Sequence, residues 1–134
     1  MNFKGKEIKV IITGDAKKEF DELNKIVGIE INQGIEKSDH QILFKSLKQK
    51  IEFLKDNPQY GVHIEKRKIP SKYLKDYDVN NLWKVNLSGA WRMIYTIRGT
   101  EIEVIALILD LLNHKNYDKK FGYKNLNLIF QKIL

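Results

Sequence analysis

The chain contains no cysteine. No disulfide can staple it, and no thiolate can serve as nucleophile or metal ligand. That excludes the disulfide-scaffold class and suits a reducing compartment. Long apolar runs are also missing. The longest, Val104–Leu109, falls far short of a membrane span. Near the start the apolar run is only Val10-Ile11-Ile12, too short for a signal-peptide core. The expectation is a soluble cytoplasmic protein with no membrane contact. There is no repeat, no linker and no low-complexity segment. A chain of 134 residues fits one domain, residues 1–134.

Acidic residues are outnumbered, 17 against 24 Lys and Arg, which leaves a net charge of +7. The surplus is dispersed, with denser patches near 65–75 and 115–124. Such a domain suits a polyanion or an acidic protein partner, and equally a lysine-rich surface that serves solubility.

Residues 6–13 (KEIKVIIT) read as a strand, and Asp15 as the N-cap of a first helix. Ala16, Phe20, Leu23 and Val27 recur at helical spacing, with Gly34 as the stop. Ser38 or Asp39 caps a second helix striped by Leu43, Leu47, Ile51 and Leu54 and halted by Pro58. Residues 61–69 read as a strand and 70–80 as irregular, with or without a helical turn. Strands follow at 82–87, 91–98 and 101–109, then a helix over 118–134 with Leu126, Ile129, Phe130 and Ile133 inward. The class is α+β: N-terminal strand, helical hairpin, antiparallel meander and C-terminal helix, with helices on one face of the sheet.

The stretch SGAWRMIYTIRG places Arg92 inside a strand that should be central. Alternation puts Trp91, Met93, Tyr95 and Ile97 on the core face, and Arg92, Ile94, Thr96 and Arg98 on the other. A three-residue loop at 88–90 pairs Leu87 with Trp91, Val85 with Met93 and Asn86 with Arg92, keeping both tryptophans on the core face. A two-residue turn at Gly99-Thr100 would pair Tyr95 with Val104 and Arg98 with Glu101. Lys84, Asn86 and Arg92 then gather on the open face. Arg92 either finds a backbone carbonyl or Asp110, placed just past the last strand, or keeps a bare guanidinium fork of the kind that grips phosphate.

Trp91-Arg92-Met93-Ile94-Tyr95, the hydrophobic strand after it, and His114-Lys115-Asn116-Tyr117 near the end give this chain its kinship pattern. Over 82–124, and in its order of elements over nearly the whole chain, it resembles the RelE/ParE superfamily of type II toxin–antitoxin toxins. The resemblance implies either a RelE-like endoribonuclease that cuts mRNA in the ribosomal A site and inhibits translation, or a ParE-like gyrase inhibitor with no nuclease chemistry. In both cases an acidic antitoxin is the cognate partner, in a hetero-oligomer. The hairpin of 15–57 is longer than is common in the family.

By that resemblance Arg92 stabilises the scissile phosphate and Lys84 is an auxiliary charge. Asn86 stands where nuclease members carry a second lysine. His114 is the acid or base, since histidine changes charge near neutral pH. Tyr117 orients it or stacks on a base. Glu65 is a possible base and also reads as an ordinary cross-strand ion pair. Lys66, Arg67, Lys68, Lys119, Lys120 and Lys124 are expected RNA contacts. His40 reads as surface and Tyr123 as packing. No metal-ligand spacing, phosphate-cradling glycine loop or Ser-His-Asp set occurs, so no cofactor is expected. A non-catalytic RNA-binding domain or an inactive member of the fold is the remaining alternative.

Overall fold

The computed structural model describes Phe3 and residues 5–122. In chain order it has β1 (Glu7–Ile12), α1 (Asp15–Asn32), α2 (Asp39–Asp56), β2 (Val62–His63), α3 (Ser71–Tyr77), β3 (Trp83–Asn86), β4 (Arg92–Gly99), β5 (Glu103–Leu112) and α4 (His114–Phe121). The strands form one sheet in the order β1-β5-β4-β3-β2. β1 lies parallel to β5, and every other pair is antiparallel. The expected α+β arrangement is what the chain adopts. Among the described residues no helix is long and apolar enough to cross a membrane.

The helical hairpin covers one face. Leu23 and Val27 of α1 and Leu43, Leu47 and Leu54 of α2 pack on Val85, Met93, Tyr95, Ile97, Val104, Ala106 and Ile108. Ser38 caps α2 by accepting from Gln41 N at 3.1 Å, and its hydroxyl donates to Glu30 Oε1 at 2.6 Å. That bond ties the start of α2 to the end of α1, and it holds the Glu30 carboxyl below its ordinary pKa. Gly34, at φ 76, takes the left-handed turn after α1. Asp15 is the first residue of α1 rather than its cap, and sits 3.6 Å from Lys72 Nζ. Gly14 holds the cap position at φ 61, where a Cβ would come within 2.0 Å of Tyr77 Oη.

The opposite face is not open, as alternation alone suggested. Ile64, Ile69, Tyr73, Val79, Leu82, Ile94, Leu109, Leu112 and Tyr117 form a second buried cluster there. β5 therefore has apolar cover on both sides, which explains the unbroken run Val104–Leu109. The expected strand over 61–69 shrinks to Val62–His63, followed by a 3-10 turn at Lys66–Lys68. Ile64 and Ile69 would face opposite ways in a continuous strand, and the turn lets both reach the second cluster. Residues 71–77 form the helix α3 rather than an irregular stretch.

The first hairpin has the expected register, Val85 opposite Met93 and Asn86 opposite Arg92. Leu87 N donates to Trp91 O at 2.8 Å, closing the three-residue loop. The second hairpin differs. Gly99 pairs with Val104, and Tyr95 with Ile108 rather than Val104. Thr100 builds the longer loop, its Oγ1 accepting from Glu103 N at 3.1 Å while its N donates to Glu103 O at 2.8 Å. The slip is even in number, so the faces survive. A bulge opposite Ile94 and Tyr95 then carries β5 on to Leu112, so Asp110 lies inside the strand. The C-terminal helix starts at His114, earlier than expected, because Asn113 Oδ1 caps it by accepting from Asn116 N at 2.8 Å. Gly122, at φ 77, follows it. Tyr123, Lys124, Leu126, Ile129, Phe130 and Ile133 lie outside the described residues.

Tyr95 clamps a loop to the sheet from within the core. Its hydroxyl donates to Pro58 O at 2.6 Å and accepts from Gly61 N at 3.0 Å. Burial pushes the hydroxyl up to about 12 from the ordinary 10.0. Because folding raises this pKa, the stability linked to it is fully present below pH 10.0 and is lost as pH climbs toward 12. Tyr95→Phe should cost about 1–3 kcal/mol at neutral pH, by orphaning the Gly61 amide and the Pro58 carbonyl. Urea titrations should show that cost, and a smaller alkaline fall in the variant than in wild type. Superimposable alkaline profiles would refute the assignment.

Candidate active site

Lys84 and Arg92 come from neighbouring strands. Lys84 lies opposite Ile94 and Asn86 opposite Arg92, so the two cations are diagonal neighbours on the face of the second cluster. Both are half-buried, whereas Asn86 is exposed. α4 begins two residues after Leu112, the β5 partner of Arg92, and lays Tyr117 beneath them. Lys84 Nζ donates to Tyr117 Oη at 3.2 Å. Lys84 Nζ and Arg92 Cζ each stand 5.4 Å from the centroid of the Tyr117 ring. Tyr117 is only 5% exposed, so its ring supports the cations rather than offering a face to a nucleobase. Cation–π contacts of this kind contribute about 0.5–2 kcal/mol each.

Arg92 Nη1 donates to Trp91 O at 3.2 Å. Among the described residues, neither Arg92 nor Lys84 has a carboxylate within 4.0 Å. Asp110, expected as the partner of Arg92, is committed elsewhere. Its Oδ2 accepts from Tyr73 Oη at 2.7 Å and lies 2.5 Å from Lys120 Nζ. Lys120 also stands over the Tyr73 ring at 5.0 Å. Burial first, then the Asp110 charge, drives the Tyr73 hydroxyl far above its ordinary pKa. Lys120, expected as a surface RNA contact, is thus a half-buried cation paired with Asp110. A carboxyl in the apolar run Ile108–Leu112 was the sequence signal for a buried ion pair. It did not say which cation would answer.

His114 opens α4, three residues before Tyr117. It is exposed, and its Nε2 lies 3.3 Å from Asp118 Oδ2. The carboxylate that faces its ring is therefore outside the Lys84–Arg92–Tyr117 cluster. Glu65 is not on a strand. It precedes the 3-10 turn, 2.8 Å from Arg67 Nε and 3.8 Å from Lys68 Nζ, all three exposed. Such surface pairs contribute at most about 1 kcal/mol. Lys66 and Lys119 are exposed. His40 is an exposed partner of Glu30 at 3.2 Å. Among the described residues no His, Asp or Glu group could hold a metal ion. A cavity of about 840 Å³ opens at the other end of the sheet, between α3 and Arg98, away from these cations.

Comparison of the chain with protein-family models, with curated proteins and with solved structures gave no match.

Breaking the Asp110–Lys120 pair leaves a buried carboxylate without its cation. Lys120→Met should cost about 3 kcal/mol in urea denaturation. Asp110→Leu combined with Lys120→Met should recover much of that loss, because the charge to be compensated is gone. Additive losses in the double variant would contradict the coupling.

Proposed function

We propose that this chain is a RelE-like toxin of a type II toxin–antitoxin system, a metal-independent endoribonuclease acting on mRNA in the ribosomal A site. The observation that carries the reading is the pair of cations, Arg92 and Lys84, set on the Tyr117 ring without a neutralising carboxylate among the described residues. A polyanion is the natural occupant of such a site, and a guanidinium fork matches phosphate oxygens. The net charge of +7 points the same way. An acidic antitoxin, covering the same cations, is the expected partner.

Cleavage without a metal requires three events. A base removes the proton of a 2′-hydroxyl, whose oxygen attacks the adjacent phosphorus. The developing phosphorane charge is stabilised. The departing 5′-oxygen takes a proton, leaving a cyclic phosphate and a free hydroxyl. Arg92 serves the phosphorane, with Lys84 beside it. His114 exchanges the proton. Asp118 engages Nε2, which leaves Nδ1 to meet the substrate. Tyr117 acts as a positioning residue for both cations.

A second reading is a non-catalytic member of the fold, such as a ParE-like gyrase inhibitor. Two observations favour it: exposed Asn86 opposite Arg92 where a second lysine is expected, and the pairing of His114 with Asp118 outside the cation cluster.

Primer extension on an mRNA translated in a cell-free system separates the two. The nuclease reading expects codon-phased cuts. Arg92→Ala should reduce them at least 100-fold by removing charge stabilisation. His114→Ala should reduce them about 100- to 10,000-fold by removing proton transfer. Intact mRNA with normal translation would end the nuclease reading and turn attention to DNA supercoiling by gyrase.

A further inference from the structure

Two aromatic rings stand at the surface near the edge strand β2, which pairs with the strand of Lys84. Phe53, near the end of α2, is 36% exposed, and Tyr60, in the loop after it, is 43% exposed. Their centroids are 5.1 Å apart, with the rings tilted by 55°. Lys50 Nζ lies 5.3 Å from the Phe53 centroid and 5.6 Å from that of Tyr60, and donates to Tyr60 Oη at 3.3 Å. The tyrosines that serve the two cores are different. Tyr73, Tyr95 and Tyr117 are at most 5% exposed, with hydroxyls engaged inside the protein.

The loop that carries Tyr60 is pinned rather than loose. Tyr95 Oη holds it from below through Pro58 O and Gly61 N. Tyr60 N donates to Asn57 O at 3.0 Å. Gly61 is pressed against the backbone of Lys84, where a Cβ would come within 2.6 Å of the Lys84 carbonyl oxygen. Val62, next in the chain, is the cross-strand partner of Lys84 and is 59% exposed. Tyr60 is thus two residues along the chain from the residue that faces Lys84. The same short segment carries Tyr60 and pairs with the backbone of Lys84, whose ammonium stands on the other face of the sheet.

We propose that Phe53, Tyr60 and Lys50 form a base-stacking platform for single-stranded RNA that passes over the β2 edge to Lys84 and Arg92 on the opposite face of the sheet. The inference rests on the RNA reading of that site and names how the substrate is held beside it. Every base has a π-face, so exposed rings with a lysine at hand bind single strands with little sequence preference. A rigid platform loses little entropy on binding. Lys50 is the cation at the rings, Glu52 is paired with Lys55 at 2.8 Å, and Asp56 is the acid one turn beyond Phe53.

The test uses the full chain and a fluorescein-labelled 2′-O-methyl oligoribonucleotide, which cannot be cleaved. Tyr60→Ala should weaken single-strand binding roughly 10-fold while Tyr60→Phe keeps it. Both should leave duplex binding and the thermal midpoint unchanged. Lys50→Met should lower the slope of log affinity against log salt by about one. Full affinity in Tyr60→Ala, alongside a loss in Lys84→Ala, would overturn the platform and leave the nuclease reading intact. Equal losses in Tyr60→Ala and Tyr60→Phe would overturn stacking as the cause. Absence of RNA affinity in the wild type would overturn the platform, while primer extension alone decides the nuclease.

Discussion

Asp110 is 3% exposed, in a strand that is otherwise aliphatic from Val104 to Leu112, so the fold has to bring donors to its carboxylate. It does so from two directions. Tyr73 arrives on α3, and Lys120 on α4. Neither helix has much apolar surface of its own, since α3 buries only Tyr73 and α4 only Tyr117. The charge-assisted contacts at Asp110 therefore fix where these short helices sit. The bulge in β5 makes this possible. With strict alternation Asp110 would share the face of Ile108 and point at the helical hairpin. The extra residue turns it to the side of Ile94, toward α3 and α4.

The position of α4 decides the candidate site in turn. Phe121 touches both Tyr73, at 6.0 Å, and Tyr117, at 4.7 Å, between ring centroids. One continuous set of contacts thus runs from Asp110 through Lys120 and the aromatic rings to the two cations. The anchor is at one end of α4 and the site at the other. Helix α4 is short, so its isolated stability is negligible and its geometry is inherited from these contacts.

Much of this architecture was legible in the chain. Helical spacing of Leu43, Leu47 and Leu54, the Ser38 cap and the Pro58 stop set α2 directly. The position of tryptophans on one face selected the 88–90 loop and put Arg92 opposite Asn86. What alternation could not reveal was cover on the second face. Ile94, Leu109 and Leu112 belong to a core built from residues distant in the chain, and propensity says nothing about where Ile64 and Ile69 will meet. The second hairpin failed for a local reason: Gly99-Thr100 looks like a tight turn, but the Thr100 hydroxyl stabilises a longer loop. In the candidate site, Lys84, Arg92 and Tyr117 do converge. His114 was expected beside them, but its partner is Asp118. The expected helix began only at 118, so the start of α4 at His114, which sets Asp118 one turn on from its ring, was missed.

The permanent charge within a central strand is explained by competition for one carboxylate. Asp110 is opposite Ile94, only two residues along β4 from Arg92. Were it available, it would be the nearest acid in register to neutralise the guanidinium. Lys120 and Tyr73 occupy it instead. Arg92 is left with a backbone carbonyl and the face of Tyr117, which stabilise a cation without cancelling its charge. Lys84 is treated the same way. Two like charges held close repel each other, and a core designed only for stability would have paired them. The ion pair made by α4 thus has two consequences at once: it compensates a buried carboxylate, and it leaves the two cations on the sheet face without a carboxylate among the described residues.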